Sequence, residues 1–149
     1  MCSTTFVALA LCLVVAVANA NTFENCGSTL GTFSEVRVSG CEGKSTCVLR
    51  RGRNVTIEID FTTSAEVRKV NTVVHGEIFD VPIPFPLNHP NACSDSGLTC
   101  PLEPEQTQKY EAILPVLKQY PKVSVKVRWE LQNEKGENIV CVLIPSKIQ

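Results

Sequence analysis

The 149-residue chain has only two histidines, and it lacks an excess of charge of either sign. Its two histidines, His75 and His89, lie apart in the sequence, and no two cysteines have C-x-x-C spacing. We therefore expect no structural metal and no cofactor. The net charge is −1 at pH 7, so bulk charge indicates neither nucleic acid nor a membrane as a partner.

A catalytic motif is also missing. The tetrapeptide Ser94-Asp95-Ser96-Gly97 lacks the G-x-S-x-G spacing and the strand-turn-helix context of a nucleophile elbow. The acidic residues are spread over polar positions, where solvation by water explains them. The sequence therefore favours a binding protein over an enzyme, and only turnover that vanished with Ser96→Ala would reverse this interpretation.

One hydrophobic run differs from the rest of the chain. Residues 6–18 are all apolar and are followed by Ala18-Asn19-Ala20, the small-x-small pattern of a cleavage site. The run is shorter than the roughly twenty residues that span a bilayer. Although no Lys or Arg precedes it, we expect a secretory signal peptide at residues 1–20 and one mature domain at residues 21–149.

Cysteine usage predicts the same compartment. Two of the eight cysteines lie in the expected signal peptide, and the other six are Cys26, Cys41, Cys47, Cys93, Cys100 and Cys141. An even number of cysteines in a secreted chain indicates disulfides. Spacing favours Cys41 with Cys47 and Cys93 with Cys100, which leaves Cys26 to pair with Cys141.

Short stretches of alternating apolar and polar residues predict about seven strands. They lie at residues 34–39, 55–62, 67–74, 81–87, 109–117, 123–132 and 139–144. Residues 109–117 are ambiguous, because strand spacing competes with helix-forming residues, and Pro115 argues against a long helix. Gly76 is expected at a bulge. Strands with one polar face each predict an all-β sandwich of two antiparallel sheets.

The segment Val81 to Leu87 reads Val-Pro-Ile-Pro-Phe-Pro-Leu. Its alternating prolines exclude a helix and a central strand, because proline cannot donate a backbone hydrogen bond. We predict an edge strand whose apolar residues share one face, with a polyproline II linker as the alternative.

Three polar features lie in the strand-rich region. Arg50-Arg51-Gly52-Arg53 is the densest positive cluster; we interpret it as a solvated turn, and contact with anionic lipid headgroups is the alternative. Asn54 begins the chain's one N-x-[ST] sequon and is a candidate glycosylation site. His75 is interpreted as a structural histidine, with a pH sensor as the alternative.

The chain closely resembles the Niemann-Pick type C2 family of secreted lipid carriers, which have the ML (lipid-recognition) domain. The resemblance covers the whole predicted mature chain and includes the cysteine layout. Its motifs are Val73-Val74-His75-Gly76, Val81-Pro82-Ile83-Pro84-Phe85-Pro86, Leu114-Pro115-Val116, Tyr120-Pro121 and Trp129-Glu130-Leu131-Gln132.

The resemblance implies an immunoglobulin-like sandwich with an apolar ligand tunnel between its sheets, and it implies the same three disulfides. In sterol-binding members, the pocket depends on the phenylalanine of the proline stretch, the valine of Leu-Pro-Val and the tyrosine before the next proline. These positions are Phe85, Val116 and Tyr120 here. A tryptophan that follows the last cysteine in some members is Val142 here, a departure that would widen or reshape the pocket.

The implied function is a secreted carrier that binds a sterol such as cholesterol and transfers it between membranes or to an acceptor. Fatty acids, long-chain alcohols, semiochemicals and microbial lipids are alternative cargoes. A membrane-embedded Niemann-Pick type C sterol transporter is an implied acceptor, and transient contact with the membrane surface is expected. We expect a monomer, secreted or lysosomal, without a nucleic-acid partner.

Overall fold

The computed structural model describes residues 23–149, which form nine strands joined by turns and loops. The strands are β1 (Glu24–Asn25), β2 (Gly31–Val38), β3 (Cys47–Leu49), β4 (Arg53–Thr63), β5 (Asn71–Ile78), β6 (Val81–Phe85), β7 (Gln108–Val116), β8 (Ser124–Gln132) and β9 (Asn138–Ile148). Within this range, no helix is long and apolar enough to cross a membrane. The expected signal peptide at residues 1–20 lies outside the described residues.

The described strands form two sheets. The larger has the order β1-β9-β8-β5-β6, with β3 also paired to β9, and the smaller has the order β2-β4-β7. The predicted antiparallel arrangement is confirmed for these pairs except β3 with β9, which is parallel. In that exception, Cys47–Leu49, which directly follow the Cys41–Cys47 disulfide loop, pair with the end of β9.

All seven predicted strands are present, with shifted ends. The strand expected from Val67 begins at Asn71, and Val67 instead forms an isolated bridge with Leu102. The ambiguous segment 109–117 is a strand, β7, because its backbone completes the ladder with β4. The two short strands β1 and β3 were not predicted.

The core lies between the sheets and is built from the alternating faces of their strands. In β4, every second residue from Val55 to Phe61 is buried, and β8 buries Val125, Val127 and Trp129 in the same way. Each such side chain stabilises the fold by about 1.5–3 kcal/mol on leaving water. The polar residues between them lie on the outer faces, so the two sheets meet through apolar side chains.

Three disulfides join Cys26 to Cys141, Cys41 to Cys47 and Cys93 to Cys100. The first crosses 115 residues of sequence and fastens the start of the described chain to β9. On the loop-entropy model, a closure of this length contributes roughly 5 kcal/mol. Three disulfides in one small domain are typical of proteins that pass through an oxidising, secretory compartment.

The proline stretch forms β6, which is the last strand of its sheet. This confirms the predicted edge position. At the edge, no further strand requires hydrogen bonds from the backbone nitrogens of the prolines. The expected burial of one face is only partly right, because Val81 and Ile83 are exposed while Phe85 packs against the core. Val81 and Ile83 lie toward the hairpin turn, where no further strand of the sheet covers them.

Candidate functional site

The two sheets present edge strands β6 and β7 on the same side of the sandwich. On the opposite side, Gly31 of β2 packs so closely against Ile139 of β9 that a Cβ there would lie 3.0 Å from the Ile139 carbonyl oxygen. Since β2 and β7 are the two edges of the smaller sheet, β7 must lie toward β6. Access to the core is therefore favoured between β6 and β7, and we call this region the mouth.

An aromatic pair lies at the mouth. The rings of Phe85, at the end of β6, and Tyr120, in the loop after β7, have centroids 5.2 Å apart and an interplanar angle of 89°. Edge-to-face contact of this kind stabilises aromatic pairs beyond the area they bury. Both residues are half-buried and pack against the core. The structure therefore brings together two of the three predicted pocket residues.

Gly76 explains how the Phe85 ring fits its position. A Cβ at Gly76 would collide with the ring and lie 3.0 Å from Val125 Cγ2. The β5 ladders continue through Gly76 on both sides without a register shift. The expected bulge at Gly76 is therefore wrong, and the missing side chain instead makes room for Phe85.

Val116, the third predicted pocket residue, ends β7 and is buried. Its carbonyl oxygen accepts a hydrogen bond of 2.6 Å from the Gly52 amide. That bond ties the end of β7 to the turn before β4. Val116 therefore lies in the core directly before the loop that carries Tyr120. It does not line the small cavity between the sheets.

One small cavity lies between the described strands of the two sheets. This cavity of about 10 Å³, the volume for roughly one water molecule, lies among apolar side chains and one serine hydroxyl. Its lining residues are Val38, Leu49, Val55, Ile57, Leu114, Val127, Trp129, Ile144 and Ser146. The tunnel that the resemblance implies corresponds, among the described residues, to this small cavity, which apolar side chains from both sheets line.

A polar node crosses the core at the end away from the β5–β6 turn. The hydroxyls of Tyr110 and Thr72 are 2.9 Å apart, and the Trp129 indole N–H donates to the Tyr110 oxygen at 3.3 Å. Burial raises the pKa of Tyr110 to about 12. Alternation in residues 109–117 placed Tyr110 on an apolar face, but nothing in the sequence identified its partners on two other strands.

Val142 follows the last cysteine and is fully buried. It pairs in register with Trp129 on β8, the chain's single tryptophan. A valine here occupies less volume than the tryptophan found in some family members. The wall beside Trp129 is the part of the core that this departure changes.

Positive charge collects at the end of the sandwich that holds the β5–β6 turn. We define the cationic rim as Arg50, Arg51, Arg53, Lys118 and Lys122, which lie in the turn before β4, at the first residue of β4 and in the loop after β7. These two loops touch, since Arg51 Nη1 donates to the Lys118 carbonyl oxygen at 3.2 Å. Residues 43–57 and 112–129 contain no Asp or Glu, so the rim has no carboxylate of its own segments to neutralise it.

Exposed apolar side chains lie beside the rim. The turn between β5 and β6 consists of Phe79 and Asp80, both with positive φ, as two-residue hairpin turns require. Phe79 is 94% exposed, Val81 and Ile83 are exposed in the strand that follows, and Leu117 is exposed in the loop that carries Lys118. An open groove of about 600 Å³ runs past Phe79, along the start of β8 and the last residues of β9.

The remaining candidate residues show no catalytic or metal-binding arrangement. The Ser96 hydroxyl is buried and donates to the Ala92 carbonyl oxygen, so it is not available as a nucleophile. His75 is half-buried and stands opposite Arg128 and Pro84 in the ladders. Across residues 23–149, no group of His, Cys, Asp or Glu could hold a metal ion. Asn54 is exposed at the start of β4, and its glycosylation stays a prediction.

Comparison with known proteins assigns the family. A family model described as the ML domain matches residues 20–148. The chain belongs to the ML-domain family. Among relatives of this ML-domain protein, the NPC intracellular cholesterol transporter 2 homolog a of Drosophila melanogaster is 48% identical, with 97% of this chain and 98% of that protein covered.

A second relative is the ecdysteroid-regulated 16 kDa protein of Manduca sexta, 49% identical over 88% of this chain and 90% of that protein. Among solved structures, a Niemann-Pick type C2 protein from the Japanese carpenter ant superposes with a TM-score of 0.81. It is 38% identical and covers 86% of this chain and 99% of that one. The resemblance to the Niemann-Pick type C2 family is confirmed, and so is the immunoglobulin-like sandwich.

Proposed function

We propose that this ML-domain protein is a secreted carrier that binds a sterol such as cholesterol between its two sheets and transfers it between membranes or to an acceptor. The observation that carries the proposal is the Phe85–Tyr120 pair, which lies at the mouth and packs against the apolar core. The names of its relatives, which include cholesterol transporters, support the same cargo. Sequestration requires no covalent step, so no catalytic residue is needed.

Binding requires the sheets to separate, because pockets for ligands of this size have volumes of roughly 300 Å³ or more. The gap is lined mainly by apolar side chains, so a sterol would replace their contacts with contacts of the same kind. At roughly 0.3 kcal/mol for each of about thirty heavy atoms, binding would contribute around 9 kcal/mol. That corresponds to a dissociation constant below about 1 μM, firm enough to carry and weak enough to release.

Truncating Phe85 tests the site. Mature protein with Phe85→Ala should bind a fluorescent sterol at least roughly tenfold more weakly, because the wall of the mouth is lost and each tenfold is about 1.4 kcal/mol. The matched control is Phe79→Ala, which removes an equal side chain from the same hairpin at a position 94% exposed. Unchanged affinity in Phe85→Ala would show that the site is elsewhere.

Transfer is proposed to occur at the end that holds the cationic rim. The rim supplies charge that attracts anionic headgroups, and Phe79, Val81 and Leu117 supply exposed apolar side chains that can enter the interface. The same end holds the loop of Tyr120, so lipid would leave the mouth directly into the membrane. A membrane-embedded Niemann-Pick type C sterol transporter is the proposed protein acceptor, and the open groove beside Phe79 is a surface it could occupy.

A fatty acid or long-chain alcohol is the second candidate cargo. The observation that favours it is the small cavity of about 10 Å³, since a slim acyl chain requires less separation of the sheets than a rigid ring system. Mass spectrometry of lipids that co-purify with the protein from its native source would distinguish the cargoes. Acyl lipid without sterol would support this second candidate and contradict the first.

The proposed route is secretory. Cleavage after Ala20 would release residues 21–149, and the three disulfides suit the oxidising compartments through which such a chain passes. We propose a monomer that acts outside the cell or in the lysosome. A glycan on Asn54, which is exposed, would provide a handle for lysosomal sorting. Intact-mass analysis before and after glycosidase treatment checks that handle.

A further inference from the structure

Arg51 joins the two sheets at the end that holds the mouth. Its backbone amide donates to the Gln149 carbonyl oxygen at 2.8 Å, directly after β9 of the larger sheet. Its guanidinium Nη1 donates to the carbonyl oxygens of Lys118 at 3.2 Å and Tyr120 at 3.4 Å, in the loop that follows β7 of the smaller sheet. One residue therefore connects both sheets beside the mouth.

The contacts of Arg51 reach the loop at its aromatic residue. The Tyr120 amide donates to the Leu117 carbonyl oxygen at 3.1 Å, which closes a turn within the loop without attaching it to a neighbouring strand. The attachment across to the turn before β4 comes from the Arg51 side chain and from the Gly52 amide, which donates to Val116. Arg51 thus holds the backbone from which the Tyr120 ring extends to Phe85.

Arg51 differs from the other arginines of its turn. Arg50 and Arg53 are exposed, whereas Arg51 is half-buried. Its guanidinium donates to neutral carbonyl oxygens, and the segments 43–57 and 112–129 contain no acidic residue that could pair with it. Both bonds leave one nitrogen, Nη1, whose two N–H groups are fixed in the plane of the guanidinium. A lysine ammonium on a flexible stem holds two carbonyls less firmly.

We propose that Arg51 is a positioning residue that keeps the mouth closed, and this regulation rests on the carrier function proposed above. Arg51 holds Tyr120 against Phe85. Because its amide is bonded to the end of β9 and its guanidinium to the loop after β7, that loop cannot move away from β9 unless one of these bonds breaks. It acts through Tyr120 and does not need to touch the lipid. A closure of this kind slows both the association and the dissociation of the lipid, and it changes the affinity much less.

The first test uses Arg51→Lys, which keeps the charge and removes the guanidinium fork. In stopped-flow measurements with the fluorescent sterol dehydroergosterol, association and dissociation should both become roughly fivefold faster, equivalent to about 1 kcal/mol of barrier, while Kd changes less than twofold. The control is Arg68→Gln, at an exposed arginine in the loop before β5, and its rates should match those of the unmodified protein. Unchanged rates in Arg51→Lys would overturn the proposal, and so would a rise in Kd with no change in association.

The second test asks whether Arg51 acts through Tyr120. Once Tyr120→Ala has removed the ring, adding Arg51→Lys should accelerate dissociation no further. A full additional fivefold effect in the double variant would contradict a role through Tyr120.

A measurement without lipid separates this proposal from the carrier function. Hydrogen exchange of the Tyr120 amide should be roughly fivefold faster in Arg51→Lys than in Arg68→Gln, because the turn it closes loses its attachment. If the unmodified protein binds no sterol, the carrier function fails, and exchange alone then decides the role of Arg51. Equal exchange in the two variants would overturn it.

Discussion

Tyr110 carries a hydroxyl into an otherwise largely apolar interior, where Thr72 and Trp129 satisfy it. Replacing it with phenylalanine leaves a buried hydroxyl and a buried indole N–H without this partner. Tyr110→Phe should therefore lower the free energy of unfolding by about 1–3 kcal/mol, measured by urea denaturation. The hydroxyl of Tyr110 also titrates with a pKa of about 12 because of burial, so it stays neutral across physiological pH.

A double variant tests whether the hydroxyls of Tyr110 and Thr72 stabilise the fold together. With Thr72→Val already present, Tyr110→Phe should lower the free energy of unfolding by less than it does alone. The Thr72 hydroxyl is then already absent, so Tyr110→Phe leaves only the Trp129 indole N–H without its partner. Additive costs in the double variant would mean that the Tyr110 and Thr72 hydroxyls do not act together.

The roles of some residues could be predicted from the sequence, and the roles of others could not. Phe85, Val116 and Tyr120 were singled out through the family resemblance, because sequence spacing cannot show that the rings of residues 85 and 120 meet. Gly76 was misjudged as a bulge, since a missing Cβ explains several different structures. The sequence predicts Arg51 only as part of a charged turn. Its partners are backbone carbonyls, and every residue type has one, so the sequence does not identify them.

At the scale of elements, the β5–β6 hairpin is where the apolar edge meets solvent. Phe79 at its turn is 94% exposed, and burying such a ring in a membrane interface contributes about 1.5–3 kcal/mol. Phe79→Ser should therefore slow sterol transfer to anionic vesicles at least roughly fivefold, as followed by energy transfer to labelled vesicles. Sterol affinity in solution should change less than twofold.

The matched control for the hairpin is Ile113→Ser, which removes another exposed apolar residue, 56% exposed on the outer face of β7. Its transfer rate should equal that of the unmodified protein. Equal slowing by both substitutions would show that general surface apolarity, and not the hairpin, governs transfer. A higher salt concentration should also slow transfer by the unmodified protein, because salt screens the attraction between the cationic rim and anionic vesicles.

The long strands were predictable because a period of two over eight or more residues is a strong signal, as in β4 and β8. The short strands were not. Glu24–Asn25 and Cys47–Leu49 are too brief to show a period, and their pairing with β9 is between residues far apart in the sequence.

At the scale of the whole molecule, the sandwich is fastened differently at its two ends. Away from the hairpin, the Tyr110 node crosses between the sheets, and on the closed side Gly31 packs tightly on Ile139. At the mouth, an aromatic contact and the bonds of Arg51 hold the gap. Opening at the mouth therefore disrupts fewer buried polar contacts than opening at the opposite end.

Whether the core is open or closed could not be predicted from the pattern of residues. Alternation reports which face of each strand is buried, whereas the volume between the sheets depends on how closely the side chains interdigitate. A small change in sheet spacing converts a cavity of about 10 Å³ into a lipid pocket. The family resemblance predicted the sandwich correctly, and a tunnel wide enough for a lipid stays a prediction.

Trp129 offers the most direct measurement of lipid binding between the sheets. It is the single tryptophan of the chain, is 1% exposed and lines the cavity. When dehydroergosterol is added to mature protein and Trp129 is excited, the account predicts saturable quenching of tryptophan emission with matching sterol emission at one sterol per protein. Sterol that binds without energy transfer from Trp129, or that does not bind, would contradict a site between the sheets.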